Sequence, residues 1–216
     1  LTTTTHIMKP DFLSDESYIE NEDLGQLANI FTNLKKNTLP LAALGIPEKV
    51  VNSNVKWRSP SSDFCEKIAE FSKKFSTKNP YKFLKILCEG DGSKRLPIKL
   101  PKDGEPVFFP KTDTVIGVIG LSCLGKPIKE TLFRYELLPN LTSLDNYFIK
   151  SLQSADIVTT DFLYRLCLSE KGLRKNITSQ KFCIIFNQAD ILDEKALAEV
   201  ITLRNQLQTK GICSHI

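Results

Sequence analysis

The sequence predicts an α/β protein with a mostly parallel sheet flanked by helices, and residues 1–216 are expected to form one domain. Short apolar runs of strand length alternate with amphipathic stretches of helix length. The runs end in glycine or polar residues, as buried parallel strands do where they enter loops. A hydrophobic fraction of 41% and a charged fraction of 25% are ordinary for a protein with a real core.

The first third of the chain is expected to hold two helices. Threonine-rich residues 1–7 indicate the end of a strand that runs into a loop. A helix is predicted over 24–35 because its apolar residues recur at helical spacing and Asp23 precedes it as a suitable N-cap. Residues 39–46 are apolar but contain proline and glycine, so a short strand or a loop fits them. A second helix is predicted over 63–75, after a Ser-Pro-Ser-Ser segment.

The rest of the chain continues the alternation of strands and helices, with β-branched runs for strands and polar caps for helices. The predicted elements, in order, are strand 83–88, strand 114–119, a helix over 143–152 capped by Ser143, a helix through Leu168 capped by Thr160, strand 182–186, a helix capped by Asp193, and the start of a strand within 211–216.

Composition excludes several classes of function. A net charge of +4, without a basic stripe interleaved with aromatic residues, does not indicate nucleic-acid binding. No apolar run approaches the length of a membrane span. The six cysteines are widely spaced and form no C-x-x-C motif, which favours free thiols and a cytoplasmic location. Two histidines do not indicate a zinc site, and nothing in the sequence fixes the oligomeric state.

The segment 83–101, FLKILCEGDGSKRLPIKLP, carries the strongest functional signal. Asp91 follows the predicted strand where a carboxylate would hold Mg²⁺, and Glu89 is an alternative ligand or a base for an attacking water. The glycines beside these acids let the backbone turn sharply and approach a ligand. Lys94 and Arg95 add positive charge that suits a phosphate. A tight turn followed by a solvated basic loop is the alternative interpretation.

A second motif, N-Q-A-D, follows the predicted strand 182–186. It is similar to the base-reading N-K-x-D motif of GTP-binding proteins, in which the aspartate accepts hydrogen bonds from guanine. Gln188 stands in place of the lysine, whose aliphatic stem covers the base. Alternatively, Asn187 caps the turn and Asp190 begins the next helix. The chain contains no G-x-x-x-x-G-K-[ST] phosphate loop.

Four motifs carry a resemblance that covers nearly the whole chain. They are the opening TTTTHI, the segment CEGDGSKRLPIKLP followed by Glu105-Pro106-Val107, the stretch VIGVIGLSCLGKPI, and FNQAD. In this order they resemble the YqeC family, accessory proteins for selenium-dependent molybdenum hydroxylases. The resemblance implies a P-loop NTPase-like fold with the first strand and phosphate loop missing ahead of the threonines. A chain that lacks this loop is expected to bind nucleotide weakly and to self-associate.

The resemblance also implies a site for a nucleoside triphosphate, ATP or GTP, with Mg²⁺ on Asp91 and with Asp91 and Glu89 as catalytic residues. Three positions depart from the family pattern: Gly90 stands where alanine is more usual, Gln188 replaces lysine, and Phe133 stands before Arg134 where histidine is expected. The implied partners are molybdenum hydroxylases or cofactor-synthesis proteins. The implied nucleotide-binding residues are Thr4, Thr5, Gly92, Ser93, Lys94, Lys126, Asn187 and Asp190.

Two other functions fit the same residues. The first is a non-catalytic protein that binds an anionic cofactor or a partner through loops 89–101 and 120–128, with a vestigial nucleotide site. The second is selenium or sulfur carriage by Cys88 or Cys123. For the nucleotide site, residues that follow parallel strands are expected to converge at one edge of the sheet. These residues are Asp91, Ser93, Lys94, Lys126 and Asp190.

Overall fold

The computed structural model describes residues 1–11, 13–32, 41–78, 84–140 and 156–216. These residues form two compact units. The amino-terminal unit comprises Leu1–Gly92 with Val107–Lys111, and the carboxyl-terminal unit comprises Ser93–Pro106 with Thr112–Ile216. Several mostly parallel sheets with flanking helices confirm the α/β class. The number of domains and the likeness to P-loop proteins stay predictions.

The amino-terminal unit contains a run of short parallel strands. β3 pairs with β4, and β1 pairs with β7. The backbone N–H of Leu44 donates to the carbonyl of Leu1 at 2.8 Å, which places β4 beside β1 and gives the order β3-β4-β1-β7. The strands of this unit are β1 (Thr2–Thr3), β2 (His6–Met8), β3 (Tyr18–Ile19), β4 (Ala43–Leu44), β5 (Ile46–Val51), β6 (Asn54–Arg58) and β7 (Cys88–Glu89).

The strand predicted over 83–88 is much shorter in the structure. Only Cys88 and Glu89 form ladder pairs, opposite Thr2 and Thr3, and Phe83 lies outside the described residues. The partner β1 is only two residues long, so the ladder cannot extend further. Leu84, Ile86 and Cys88 pack partly buried against the core of this unit, whereas Leu87 is exposed, so the apolar run indicated neither a long strand nor full burial.

An antiparallel hairpin of β5 and β6, to which β2 adds a third strand, was not predicted from the sequence. Its turn is made by Asn52 and Ser53, whose φ angles of 48° and 67° lie in the left-handed region that two-residue hairpin turns require. The hairpin buries Trp57, whose ring would lie 2.4 Å from a Cβ on Gly45. Glycine at position 45 therefore lets the chain pass this indole rather than merely interrupting an apolar run.

Both predicted helices of the amino-terminal unit are present, α1 (Leu24–Thr32) and α2 (Ser62–Lys78). The predicted N-cap of α1 is confirmed, because Asp23 Oδ1 accepts from the N–H groups of Gly25 and Gln26 at 2.8 and 3.1 Å. The predicted end of α1, residues 33–35, lies outside the described residues. Helix and strand residues share one core, which includes Ile19, Leu27, Phe31, Leu44, Phe64 and Ile68.

In the carboxyl-terminal unit, β9, β11 and β12 form a parallel sheet, and β8 pairs with β10, also in parallel. The N–H of Gly120 donates to the carbonyl of Pro97 at 2.8 Å, so the end of β9 lies beside the start of β8. The predicted strands at 114–119, 182–186 and near the end of the sequence are confirmed. The strands are β8 (Ile98–Lys99), β9 (Thr114–Gly120), β10 (Leu132–Phe133), β11 (Lys181–Asn187) and β12 (Cys213–His215).

The helices of this unit are α3 (Ile128–Thr131), α4 (Thr160–Leu168) and α5 (Glu194–Thr209). Asp193 caps α5 as predicted. Thr160 was the wrong cap for α4, because the hydroxyl of Thr159 accepts from the N–H of Phe162 at 3.1 Å. The helix predicted over 143–152 lies outside the described residues. The central core contains Ile119, Leu163, Leu166, Ile184, Phe186 and Leu203.

The expectation that one sheet carries every site strand is wrong. β7 pairs with β1 in the amino-terminal unit, whereas β11 lies between β9 and β12 in the other unit. Two predicted parallel strands need not belong to the same sheet, because the sequence of a strand does not show which other strand it pairs with. In the part of the chain that the structure describes, no helix combines the length and the apolar character that crossing a membrane requires.

Candidate functional site: a basic cluster on Phe133

A tight turn presents Ser93 and Lys94, two of the predicted ligand residues. The N–H of Leu96 donates to the carbonyl of Ser93 at 3.0 Å, and the Ser93 hydroxyl donates to the carbonyl of Leu96 at 2.7 Å. The two central residues, Lys94 and Arg95, have φ angles of 52° and 66°. Such left-handed conformations cost a non-glycine residue roughly 1–3 kcal/mol each. Two long cationic side chains at these strained positions point to a role beyond chain reversal.

Three cations contact one aromatic ring. The Nζ atoms of Lys94 and Lys99 lie 5.1 and 5.5 Å from the centroid of Phe133, and the Arg134 guanidinium carbon lies 4.7 Å from it. The parallel register of β8 and β10 pairs Lys99 with Phe133 and so brings the cations to the ring. Each such contact contributes about 0.5–2 kcal/mol, which offsets part of the repulsion between the like charges. We call Lys94, Lys99, Phe133 and Arg134 the basic cluster.

Glu105 fixes two members of the basic cluster. Arg134 donates from both terminal nitrogens to this carboxylate, with Nη2 at 3.0 Å from Oε1, and Lys99 Nζ lies 2.8 Å from Oε2. Side-chain exposure is low, at 10% for Lys99, 16% for Arg134 and 20% for Glu105. The hydrogen bond from Arg134, with support from Lys99, lowers the pKa of Glu105 to about 2 despite partial burial. The carboxylate is therefore charged at neutral pH and holds both cations against the ring.

The arrangement suits an anion with several oxygens. Arg134 and Lys99 donate to Glu105, so they would attract such an anion through their charge, whereas Lys94 presents its ammonium on the exposed turn. Lys94 lies on the exposed turn, whereas Lys99 and Arg134 are largely buried beside it. A phosphate at the ring would meet a preorganised positive field rather than side chains that must be ordered on binding.

The N-Q-A-D loop lies beside Pro97, which follows the turn formed by Ser93–Leu96. Asn187 ends β11 opposite Gly120, and Gln188 follows with a φ of 67°. A Cβ on Gly120 would lie 2.8 Å from the Gln188 side-chain oxygen and 2.9 Å from the Cβ of Pro97. Glycine thus lets Gln188 and Pro97 approach each other across the end of β9. The loop and the basic turn are therefore linked by direct packing within one unit.

The positions of Asn187 and Asp190 are compatible with both predicted roles of the N-Q-A-D loop, as a turn and as a base-binding motif. The side-chain oxygen of Asn187 accepts from the N–H of Gln188 at 2.9 Å, which is a turn-stabilising contact. Asp190 lies exposed in a short 3₁₀ helix, Ala189–Ile191, and does not begin α5. An exposed carboxylate just past the carboxyl end of a parallel strand is available to a ligand.

Lys126 lies on the neighbouring loop after β9. A short 3₁₀ helix, Leu121–Cys123, and the left-handed Gly125 turn the chain so that the Lys126 side chain is exposed. Its backbone is held firmly, since its N–H donates to Cys123 and its carbonyl accepts from Val158. Lys126 and Asp190 thus follow adjacent parallel strands, as predicted. Among the described residues, the cations over the Phe133 ring are Lys94, Lys99 and Arg134, and Lys126 is not one of them.

The predicted acidic loop belongs to the amino-terminal unit, where the threonines support it. The N–H of Thr4 and the hydroxyl of Thr3 donate to the carbonyl of Glu89 at 3.0 and 3.1 Å. The Thr4 hydroxyl also donates to the carbonyl of Val107 at 2.5 Å. Thr4 therefore has a structural role in tying two segments to the end of β7. The same unit contains Thr5, which follows β1, and the predicted acidic-loop residues Asp91 and Gly92.

The two cysteines proposed for selenium or sulfur carriage have environments that oppose this role. Burial raises the pKa of the Cys88 thiol to about 11 and that of Cys123 to about 12. Both are therefore protonated at neutral pH, whereas a carrier needs the thiolate. All six cysteines are free thiols in the structure.

Glu105 was not predicted as a site residue, and Phe133 was predicted only as a departure from the family pattern. The sequence signal for a site at these residues is weak. Glu105 is a single acid in a loop with several prolines, and Phe133 is an aromatic residue before an arginine. Their roles depend on pairing between β8 and β10, which are two residues long and which the analysis did not predict.

The protein is therefore an α/β protein in which three cationic side chains lie over one aromatic ring. These residues come from the short parallel strands β8 and β10 and from the loops beside them. A family model described as YqeC protein matches residues 1–136, so the chain belongs to the YqeC family. The matched region includes the acidic loop and the basic cluster, whereas the N-Q-A-D motif lies beyond it. No curated protein and no solved structure matches the chain significantly.

Proposed function

We propose that this protein is an accessory factor for the maturation of selenium-dependent molybdenum hydroxylases and that it binds a phosphate-bearing ligand at the basic cluster. Membership of the YqeC family supports the maturation role. The observation that carries the binding role is the contact of Lys94, Lys99 and Arg134 with one ring, two of them fixed by Glu105. A field of this kind favours a polyanion over a neutral metabolite.

A nucleoside triphosphate is the ligand that we place first. The packing of Gln188 and Pro97 around Gly120 supports this choice, because it brings a loop with an exposed Asp190 beside the chain that carries Lys94. In this scheme the basic cluster holds phosphate, and Asn187 with Asp190 contacts the base. The Mg²⁺ role of Asp91 and the base role of Glu89 are further proposals about the loop after β7.

A non-catalytic binding protein is the second candidate. The basic cluster would hold an anionic cofactor or an anionic group of an enzyme partner equally well, because its contacts recognise charge and not a base. Hydrolysis distinguishes the two candidates. Release of inorganic phosphate from ATP or GTP, abolished by Asp91→Asn, would favour the NTPase, whereas binding without turnover would favour the cofactor carrier.

The direct test measures binding of ATP, GTP and pyrophosphate by titration calorimetry to the whole chain and to Lys94→Gln. Loss of one charge-assisted contact of about 1.5–3 kcal/mol should weaken all three ligands by roughly 10–150-fold. Lys195→Gln is the matched control, since Lys195 is an exposed lysine in the first turn of α5 in the same unit. Equal affinities for the two variants, or no binding by the unaltered chain, would contradict the proposed role of the basic cluster.

A further inference from the structure

Two cysteines and a histidine converge on one face of the β9-β11-β12 sheet. Cys183 of β11 stands directly opposite Cys213 of β12 in the parallel register. His215 lies two residues beyond Cys213 and therefore on the same face of the strand. The two sulfur atoms and an imidazole nitrogen all lie within 4.8 Å of one another, and Cys213 Sγ lies 3.4 Å from His215 Nε2.

The spacing of the three side chains is compatible with a metal site. Tetrahedral zinc has Zn–S bonds of about 2.3 Å and Zn–N bonds of about 2.0–2.1 Å, so its ligand atoms lie roughly 3.3–3.8 Å apart. The measured 3.4 Å between Cys213 Sγ and His215 Nε2 falls in this range. Two thiolates with one imidazole select thiophilic ions over Mg²⁺ or Ca²⁺, which prefer oxygen.

The surroundings leave one coordination position accessible. Cys213 and His215 are exposed, and Cys183 is half-buried. Exposed apolar residues Ile116, Val118 and Ile185 share the face. None of these neighbours offers a competing oxygen ligand. Three protein ligands with an accessible fourth position are typical of zinc sites that bind or activate another molecule, whereas purely structural sites close with four.

We propose that Cys183, Cys213 and His215 bind one thiophilic divalent cation of the Zn²⁺ class, with the fourth position open to water or an external ligand. Binding forms two metal–sulfur bonds and one metal–nitrogen bond and releases the thiol protons to solvent. The site involves no residue of the basic cluster, so it is independent of the proposed function.

The test uses the whole chain, reduced and stripped of metal, with Zn²⁺ titrated against a chromophoric chelator and Co²⁺ as a spectroscopic probe. We expect one equivalent of metal, a thiolate-to-cobalt charge-transfer band and the intense visible bands of tetrahedral cobalt. Cys213→Ser and His215→Gln should each weaken Zn²⁺ binding by more than about 100-fold. Cys88→Ser and His6→Gln are the matched controls and should bind as the unaltered chain does.

Both site variants change exposed side chains, so both should fold, and equal melting temperatures without metal would establish this. Three results would overturn the proposal. The reduced chain could fail to bind Zn²⁺ stoichiometrically, the cobalt spectrum could survive Cys213→Ser unchanged, or intact-mass analysis of freshly isolated protein could show a Cys183–Cys213 disulfide and no metal.

Discussion

Arg134 and Glu105 form a two-point ion pair between residues 29 positions apart in the sequence. Arg134 adopts a left-handed backbone conformation, with φ of 66°, immediately after β10. The strained turn directs the guanidinium back over Phe133 and onto the carboxylate. One ion pair thus couples the loop that contains Glu105 to the strand pair β8–β10, and it sets the positions of the cations that we propose to bind phosphate.

Replacing Glu105 by glutamine should make stability less sensitive to acid. The pKa of Glu105 in the folded protein is about 2, below its ordinary value of 4.5, so its charge stabilises the fold above pH 4.5. That contribution is lost as the pH falls from 4.5 through 2. Allowing for solvent screening, we expect it to be about 1–3 kcal/mol.

Urea denaturation of both proteins at pH 7 and at steps down to pH 2 measures this effect. The unaltered chain should be more stable at pH 7, and the gap between the two proteins should close below pH 4.5. Glu130→Gln, at an exposed position in α3, serves as the control. A gap that stays constant across the whole pH range would show that the ion pair contributes little.

Replacing Phe133 by leucine should weaken phosphate binding more than it weakens the fold. Leucine keeps much of the apolar volume but removes the ring face on which three cations lie. We expect affinity for pyrophosphate to fall by about 10–150-fold, because each of the three lost contacts contributes about 0.5–1 kcal/mol near the surface. Titration calorimetry checks the affinity and thermal unfolding checks the fold, with Phe182→Leu as an aromatic control on β11. Unchanged pyrophosphate affinity would show that the Phe133 ring does not contribute to binding.

Strong local signals were sufficient to predict much of this fold. Asp23 and Asp193 were recognised as helix caps because the bond from a cap to an N–H two or three residues ahead is a local event. Strand 114–119 was recognised from its β-branched run. The hairpin at Asn52-Ser53 was missed although its turn is equally local, since an Asn-Ser pair is a weaker turn signal than Asn-Gly.

The site was less predictable than the fold because its contacts join distant positions. The motif led to the prediction that Lys94 and Ser93 are ligand residues, but the carboxylate of Glu105 meets Arg134 and Lys99 only when β8 and β10 pair. The cysteine–histidine group shows the same limitation. Cys183 and Cys213 are 30 positions apart, and only the parallel register of β11 and β12 places them opposite each other.

Replacing Gly120 by alanine should disrupt the junction between the basic turn and the N-Q-A-D loop. The new methyl group would lie 2.8 Å from the Gln188 side chain and 2.9 Å from Pro97, so one of them must move. Gln188 is flexible but the proline is not, and overpacking of this kind costs about 1–3 kcal/mol. Thermal unfolding should show the loss, and nucleotide affinity should fall further if the loop contacts the base.

Gly117→Ala in the same strand is the matched control. The atoms nearest to its added methyl group would belong to the Phe182 ring and Leu173, at 3.4–3.6 Å, which is ordinary contact distance. The control should therefore retain nearly full stability. If the two variants melted at the same temperature, the packing of Pro97 and Gln188 on Gly120 would not be a rigid constraint.

Replacing Asp190 by alanine tests whether the N-Q-A-D loop reads a base. The exposed carboxylate would accept two hydrogen bonds from the guanine edge, and adenine lacks this pair of donors. Loss of the charged acceptor should weaken GTP and GDP by roughly 10–150-fold, equivalent to about 1.5–3 kcal/mol, and leave ATP unaffected. Calorimetric titration of the whole chain with each nucleotide measures the difference. Asp161→Ala, an exposed aspartate of α4 in the same unit, is the control. Equal losses of affinity for guanine and adenine nucleotides would show that Asp190 stabilises the loop and does not contact the base. A loss confined to guanine nucleotides would assign base recognition to this loop. That result would hold even though Gln188 stands where the related motif has lysine.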